Sequence, residues 1–350
     1  MLTARENLFE TIKPDGHPDR YVNQYEAFNL LFHPRMTHLG GCAKIGDINC
    51  ITDWGVYQSW PEGTPGQFPV HDEEHLLVKD IENWRDYVKA PSLKFADAEW
   101  EAWQQIYEES YDPRAISTAM VIPGIFEQTH HMCSMVEVLV AYMTLEDEMH
   151  DMIKYLTEWE LEMAEGICSH LHPEGMLHHD DWGSETNSFL RPEMFEDYFL
   201  EPYKELYGYY HDHGVKVIVH HSDSYCANLV DYMIEMGIDI WQGPMETNNV
   251  PELVEKYKGK ITFMGNIDNK DVDFEGCTEE DAKKVARRAT SDVPELGSYI
   301  PCINQGGPGS VYPDRYQWLA DEIDVINSEK FGFSVEELQA QRMPTQIMFG

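Results

Sequence analysis

Apolar and polar positions alternate in blocks along this chain, and the period of the alternation changes from block to block. Residues 96–109 carry helical spacing. Residues 116–122 form a β-branched apolar run stopped by Pro123-Gly124, which reads as a strand followed by a turn. Between 135 and about 170 the apolar positions Val136, Leu139, Val140 and Met143 recur at helical spacing. Residues 176–178 are a weaker strand candidate. Pro192 stands where a first helical turn begins, and the helix continues over 194–211. Val215-Lys216-Val217-Ile218-Val219 is the clearest strand. A helix over 228–236 ends near Gly237, and a strand follows at 238–241. Then come a short helix at 251–257, a strand at 261–264 and a helix at 278–290, whose acidic opening suits a helix N-terminus. A strand at 299–303 and a helix at 314–327 complete the series.

Short strands alternating with longer helices imply parallel βα units. Six strands can be placed, so an open doubly wound sheet stands beside a barrel as an alternative. No GxGxxG follows any strand, which weakens the dinucleotide-binding version of that alternative. Residues 1–95 read as an irregular N-terminal extension, rich in aromatic residues and proline, with a loop at 60–66. Nothing in composition separates this extension as a second domain, so residues 1–350 are read as one.

Polar residues collect where the strands end, which is where parallel α/β folds place their chemistry. The 215–219 strand runs into His220-His221-Ser222-Asp223, and the 176–178 strand into His179-Asp180-Asp181-Trp182-Gly183. Strand parity puts Val217, Val219, His221 and Asp223 on one face. An imidazole and a carboxylate two residues apart on one face can hold a zinc ion, with Glu246 or Cys302 supplying a further ligand. His178, His179, Asp180 and Asp181 are expected to shape the pocket through hydrogen bonds. The His130-His131-Met132 stretch could line a pocket or simply start a helix.

Acidic residues outnumber basic ones 63 to 25, a formal charge of −38, which argues against nucleic acid or an anionic membrane as a partner. No apolar stretch is long enough to span a bilayer, and the first residues lack a charged head followed by an apolar run. The seven cysteines are odd in number and include no CxxC pair, which favours free thiols and a cytoplasmic location.

Several segments carry a family likeness: Thr52-Asp53-Trp54-Gly55-Val56, Asp80-Ile81-Glu82-Asn83-Trp84, Asp180-Asp181-Trp182-Gly183-Ser184, Pro192-Glu193-Met194-Phe195, the 219–225 segment, and Met264-Gly265-Asn266-Ile267-Asp268. In this order and spacing the chain resembles the uroporphyrinogen decarboxylase superfamily from about Ile51 onward, and within it the cobalamin-dependent methyltransferase branch. The resemblance implies an α/β fold, a (β/α)8 TIM barrel, and so two strands that periodicity does not reveal. It also implies zinc, since that branch holds the metal with a His-x-Cys at the strand ending here in His221 and with a cysteine from the last strand. This chain has His221-Ser222-Asp223, and Gln305 aligns near the last-strand cysteine, with Cys302 three residues earlier.

A harder N/O donor set suits activation of an oxygen rather than a thiol. The chain is thus most similar to the first methyltransferase component of anaerobic O-demethylase systems. Such enzymes pass methyl from an aryl methyl ether (guaiacol-, veratrole- or vanillate-like) to cob(I)alamin on a separate corrinoid protein. The Asp-x-His-x-x-Gly cobalamin motif is missing here, so the resemblance makes the corrinoid protein a partner; a homodimer is left open. The expected roles are zinc ligation by His221, Asp223, Glu246 and Cys302, catalysis by His220, His221 and Asp223 with His220 as general acid, and substrate contacts from Phe126, His179, Asp181, Trp182 and Tyr225. The alternatives are zinc-dependent methyl transfer from a corrinoid protein to a thiol, and porphyrinogen decarboxylation. The second is disfavoured because no arginine-rich motif accompanies Asp19-Arg20-Tyr21-Val22. A non-catalytic small-molecule-binding barrel fits the crowded polar strand ends poorly.

Overall fold

The computed structural model describes residues 1–31, 43–64, 66–304 and 312–343. Its strands are β1 (Phe28–Leu31), β2 (Cys50–Ile51), β3 (Tyr57–Ser59), β4 (Phe68–Pro69), β5 (Ile116–Val121), β6 (Gly175–His179), β7 (Val217–His221), β8 (Ile240–Gln242), β9 (Thr262–Ile267) and β10 (Tyr299–Ile303). Seven of them form one sheet in the order β1-β5-β6-β7-β8-β9-β10, and every pairing is parallel. Each strand from β5 to β9 is followed by at least one helix before the next strand. This is a barrel of the (β/α)8 type, with seven parallel strands among the described residues. Gln24 helps bring the two outer strands together, its side-chain oxygen accepting from the Ile303 N–H at 3.4 Å. Val217, Ile218 and Val219 are all buried, because helices cover one face and the barrel interior fills the other.

The region read as irregular contains more order than its periodicity suggested. A helix spans Ala4–Ile12 behind a reciprocal Thr3/Glu6 capping box, a start signal present in the sequence. β1 lies there too, and it supplies one of the two strands that periodicity did not reveal. The helical spacing over 135–170 belongs to more than one helix. Ile125–Cys133, Met135–Thr144 and Glu146–Leu171 are separated by Ser134, at φ 67°, and by Leu145, at φ −132° and ψ 55°. Val136, Val140 and Met143 of that apolar spacing stand exposed, and Val138, Ala141 and Tyr142 carry the buried face of the middle helix instead.

β2, β3 and β4 form a small antiparallel sheet in the N-terminal extension. The extension packs directly on the barrel. Trp54 meets Trp159 edge-on at 4.9 Å, the Val78 N–H donates to the Met132 carbonyl at 2.9 Å, and Tyr21 donates to the Val293 carbonyl at 2.9 Å. Cys50 is held in a disulfide, which corrects the expectation of uniformly free thiols; Cys133, Cys168, Cys226, Cys277 and Cys302 are free. Among the described residues no helix is long and apolar enough to cross a membrane.

Candidate active site

β6 and β7 pair with His178 opposite His220 and His179 opposite His221. Register partners in a parallel sheet point to the same face, so His179 and His221 both enter the barrel. Their rings stack at 4.3 Å. Two residues further along, Asp181 and Asp223 meet, the Asp223 N–H donating to Asp181 Oδ1 at 2.9 Å. The same Asp181 oxygen lies 3.9 Å from His221 Nε2. Ligand-type atoms of His179, Asp181 and His221 all fall within 4.8 Å of one another. His179 donates through Nδ1 to Glu127 Oε2 at 2.8 Å, and His221 donates through Nδ1 to Gln242 Oε1. Both hydrogen bonds leave Nε2 of the ring for the cavity, the arrangement in which a second residue orients a metal-binding histidine.

The electrostatics divide the two histidines. Burial and the neighbouring His179 charge hold the His221 imidazole down at about 4. Burial acts in the same direction on His179, but the Glu127, Asp181 and Asp223 carboxylates overcome it and push that imidazole up to about 10. Burial and the Asp181 charge raise the Asp223 carboxyl well above the usual carboxylate range.

The alternate residues of the same strand ends face the helices. His178 donates through Nε2 to Glu160 at 2.8 Å, and the Tyr207 hydroxyl lies 3.0 Å from His178 Nδ1 and 2.8 Å from His220 Nδ1. His220 donates through Nε2 to the Asp180 carbonyl at 3.1 Å and stacks on Trp182 at 3.8 Å. Asp180 accepts from the backbone N–H groups of Phe126 (3.1 Å) and Glu127 (2.7 Å), from Trp182 Nε1 (2.8 Å) and from the Tyr203 hydroxyl. A carboxylate in this position satisfies free donors at the start of the helix Ile125–Cys133. It thereby aims the helix face that carries Glu127, His130 and His131.

A cavity of about 330 Å³ lies over these groups. Met120, Ile122, Leu177 and Phe189 form apolar wall, and Glu127, His130, His131, His179, Asp181, His221 and Asp223 bring the polar atoms. Gln58, Trp60, Phe68 and Pro69 close over it from in and around the small antiparallel sheet. Among the described lining residues there is no cysteine, lysine or arginine.

Of the expected site residues, the structure brings His179, Asp181, His221 and Asp223 together. His220 is buried on the opposite strand face, away from the described lining of the cavity. Trp182 faces the same helix layer, and Phe126 is buried between the Tyr142 and Phe189 rings at 6.2 and 5.8 Å. Phe189, one layer nearer, lines the cavity instead. Tyr225 lies outside the cavity wall, its N–H donating to the Ser184 carbonyl at 2.8 Å. Glu246 is turned away into an ion pair with Arg288. Cys302 is fully buried behind the Gln242 side chain, and burial pushes its thiol well up. Gln305 lies outside the described residues.

Sequence reasoning gave His179 and Asp181 a supporting role and passed over Glu127. Two signals were present. His179-x-Asp181 repeats the His221-x-Asp223 pattern on the neighbouring strand, and Glu127, His130 and His131 stand at the i, i+3, i+4 positions of one helix face.

The sequence model of the uroporphyrinogen decarboxylase (URO-D) family matches residues 63–323. No curated protein matches the chain. Among solved structures, a methyltransferase from Methanosarcina mazei superposes with a TM-score of 0.66 at 12% identity, covering 93% of this chain and 99% of that one. A D-psicose 3-epimerase reaches a TM-score of 0.36 at 9% identity, over 68% of this chain and 86% of the epimerase.

Proposed function

The chain belongs to the uroporphyrinogen decarboxylase family, and from its site we propose that it is a methyltransferase that demethylates an aryl methyl ether. The acceptor in this reading is the cob(I)alamin of a separate corrinoid protein. The observation that carries it is the donor set: His179, Asp181 and His221 converge in a largely apolar cavity that has no cysteine, lysine or arginine among its described lining residues. A nitrogen and oxygen set fits zinc and suits an oxygen ligand, whereas thiol-activating sites are richer in sulfur. A polyanionic porphyrinogen would find no lysine or arginine among the described residues of this wall, and a cavity of about 330 Å³ sits at the low end for small-molecule sites.

Zinc held by His179, Asp181 and His221 would supply Lewis-acid stabilisation of charge on the ether oxygen. The protein's own groups do the rest. Glu127 and Gln242 fix the tautomers and directions of His179 and His221. Asp223, whose carboxyl burial and the Asp181 charge hold well above the usual carboxylate range, is placed to give a proton to the departing aryl oxygen as the methyl–oxygen bond breaks. Phe189, Trp60 and Phe68 enclose the ring and exclude water. A methyltransferase from Methanosarcina mazei sharing the fold is in keeping with this reading.

The test is incubation with guaiacol-like ethers, a panel of corrinoid proteins and a reductant, following methylcobalamin and free phenol. Wild type should form both in equal amounts. His221→Ala should lose on the order of 100-fold in kcat, about 3 kcal/mol, by comparison with lost oxyanion donors. Full activity in metal-stripped His221→Ala would sink the zinc-assisted reading, and a methylated thiol without phenol would replace the ether by a thiol.

A further inference from the structure

Glu127, His130 and His131 sit beside the group just described and have no part in the proposed transfer beyond the Glu127 contact to His179. All three arise from one helix, Ile125–Cys133, on one face, and their ligand-type atoms lie within 4.8 Å of one another. They line the same cavity as His179, Asp181 and His221. The described hydrogen bonds engage the His131 backbone carbonyl, which accepts from His71 Nε2 at 3.0 Å, and leave the His130 and His131 imidazoles with ring contacts only. Filling space against Phe126, whose ring is 5.5 Å from that of His130, gives His130 a packing role. It does not explain why a second imidazole and a carboxylate converge on the same point.

We propose that Glu127, His130 and His131 bind a second divalent cation next to the His179/Asp181/His221 group. Two imidazoles and one carboxylate select zinc or a similar first-row ion over magnesium or calcium, which prefer oxygen-only shells. The helix is placed in advance, because Asp180 accepts from the Phe126 and Glu127 N–H groups. Glu127 also joins the two groups: its Oε2 takes the His179 Nδ1–H at 2.8 Å, leaving Oε1 for the ion. Open coordination positions on the cavity side would take an anionic oxygen of a bound ligand, a phenolate or carboxylate. This site stands on its own geometry and does not require the ether chemistry.

Metal stoichiometry tests it without an activity assay. Full-length protein is stripped with a chelator, dialysed against cobalt(II), and analysed by elemental mass spectrometry and visible d–d absorption. Wild type should bind two equivalents, in two titration steps. The His130→Ala/His131→Ala double variant should keep one, and His221→Ala should keep the other, with a different spectrum. A single equivalent that His221→Ala abolishes and the double variant retains overturns the proposal, as does no binding at all. A single equivalent lost only in the double variant upholds this site and removes the metal from His221 instead. Circular dichroism checks that each variant folds. Should the double variant not fold, the wild-type and His221→Ala titrations still decide: an equivalent that His221→Ala retains upholds this site, and none retained overturns it.

Discussion

His178 and His179 are neighbours in sequence and opposites in role. One donates to Glu160 among the helices, and the other stacks on His221 inside the barrel. The same division separates His220 from His221. Parity put His221 and Asp223 on one face, and both line the cavity, but it says nothing about which residue of the next strand will stand alongside. The charge state of His179 yields a prediction at this scale. A metal ligand must be a neutral imidazole. His221, at about 4, is already neutral at pH 7, whereas His179, at about 10, is protonated. Zinc binding should therefore displace the His179 proton, and affinity should rise roughly tenfold per pH unit from pH 6 to 8. Calorimetry in buffers of different ionisation enthalpy would measure that proton, and zinc binding with no pH dependence would take His179 out of the ligand set.

The helix Ile125–Cys133 shows how an element is aimed. Its first N–H groups are tied to Asp180, and Gly124 precedes it where an added Cβ would stand 2.5 Å from Asp180 Cβ. Gly124→Ala should push the helix off Asp180, destabilise the protein by about 1–3 kcal/mol in urea unfolding, and weaken metal retention through the shifted Glu127. Unchanged stability would mean that the helix start can give way freely. Element boundaries tell a related story. The strand expected at 299–303 coincides with β10, while the one expected at 215–219 is displaced to Val217–His221. The Val215 N–H is taken by the Tyr210 carbonyl at the close of the preceding helix, and pairing runs on through His220 and His221. Polar residues that are buried and paired do not register in a hydrophobic pattern, so the polar end of the strand is the part that pattern reading misses.

For the whole molecule, the N-terminal extension completes the site rather than decorating it. Trp60 and Phe68 close the cavity over the barrel mouth, although residues 1–95 show little periodicity. Trp60→Ala should raise KM for an aryl ether about tenfold, equivalent to about 1.4 kcal/mol of lost binding, while bound metal stays unchanged. Steady-state kinetics alongside metal analysis would check it, and an unaltered KM would exclude the extension from substrate binding.

Alternation of apolar runs, polar strand ends and residue parity are local properties, and they suffice for the α/β class and for placing His221 and Asp223 on one face, from which both line the cavity. The family likeness extended this to a barrel. The partners of that pair were settled only in three dimensions. His179 reaches His221 through the register of β6 against β7, Glu127 reaches His179 across 52 residues because Asp180 fixes a helix start, and Glu246 is drawn off by Arg288. Such contacts depend on inter-strand register and on competition between distant charges, neither of which has any period along the chain.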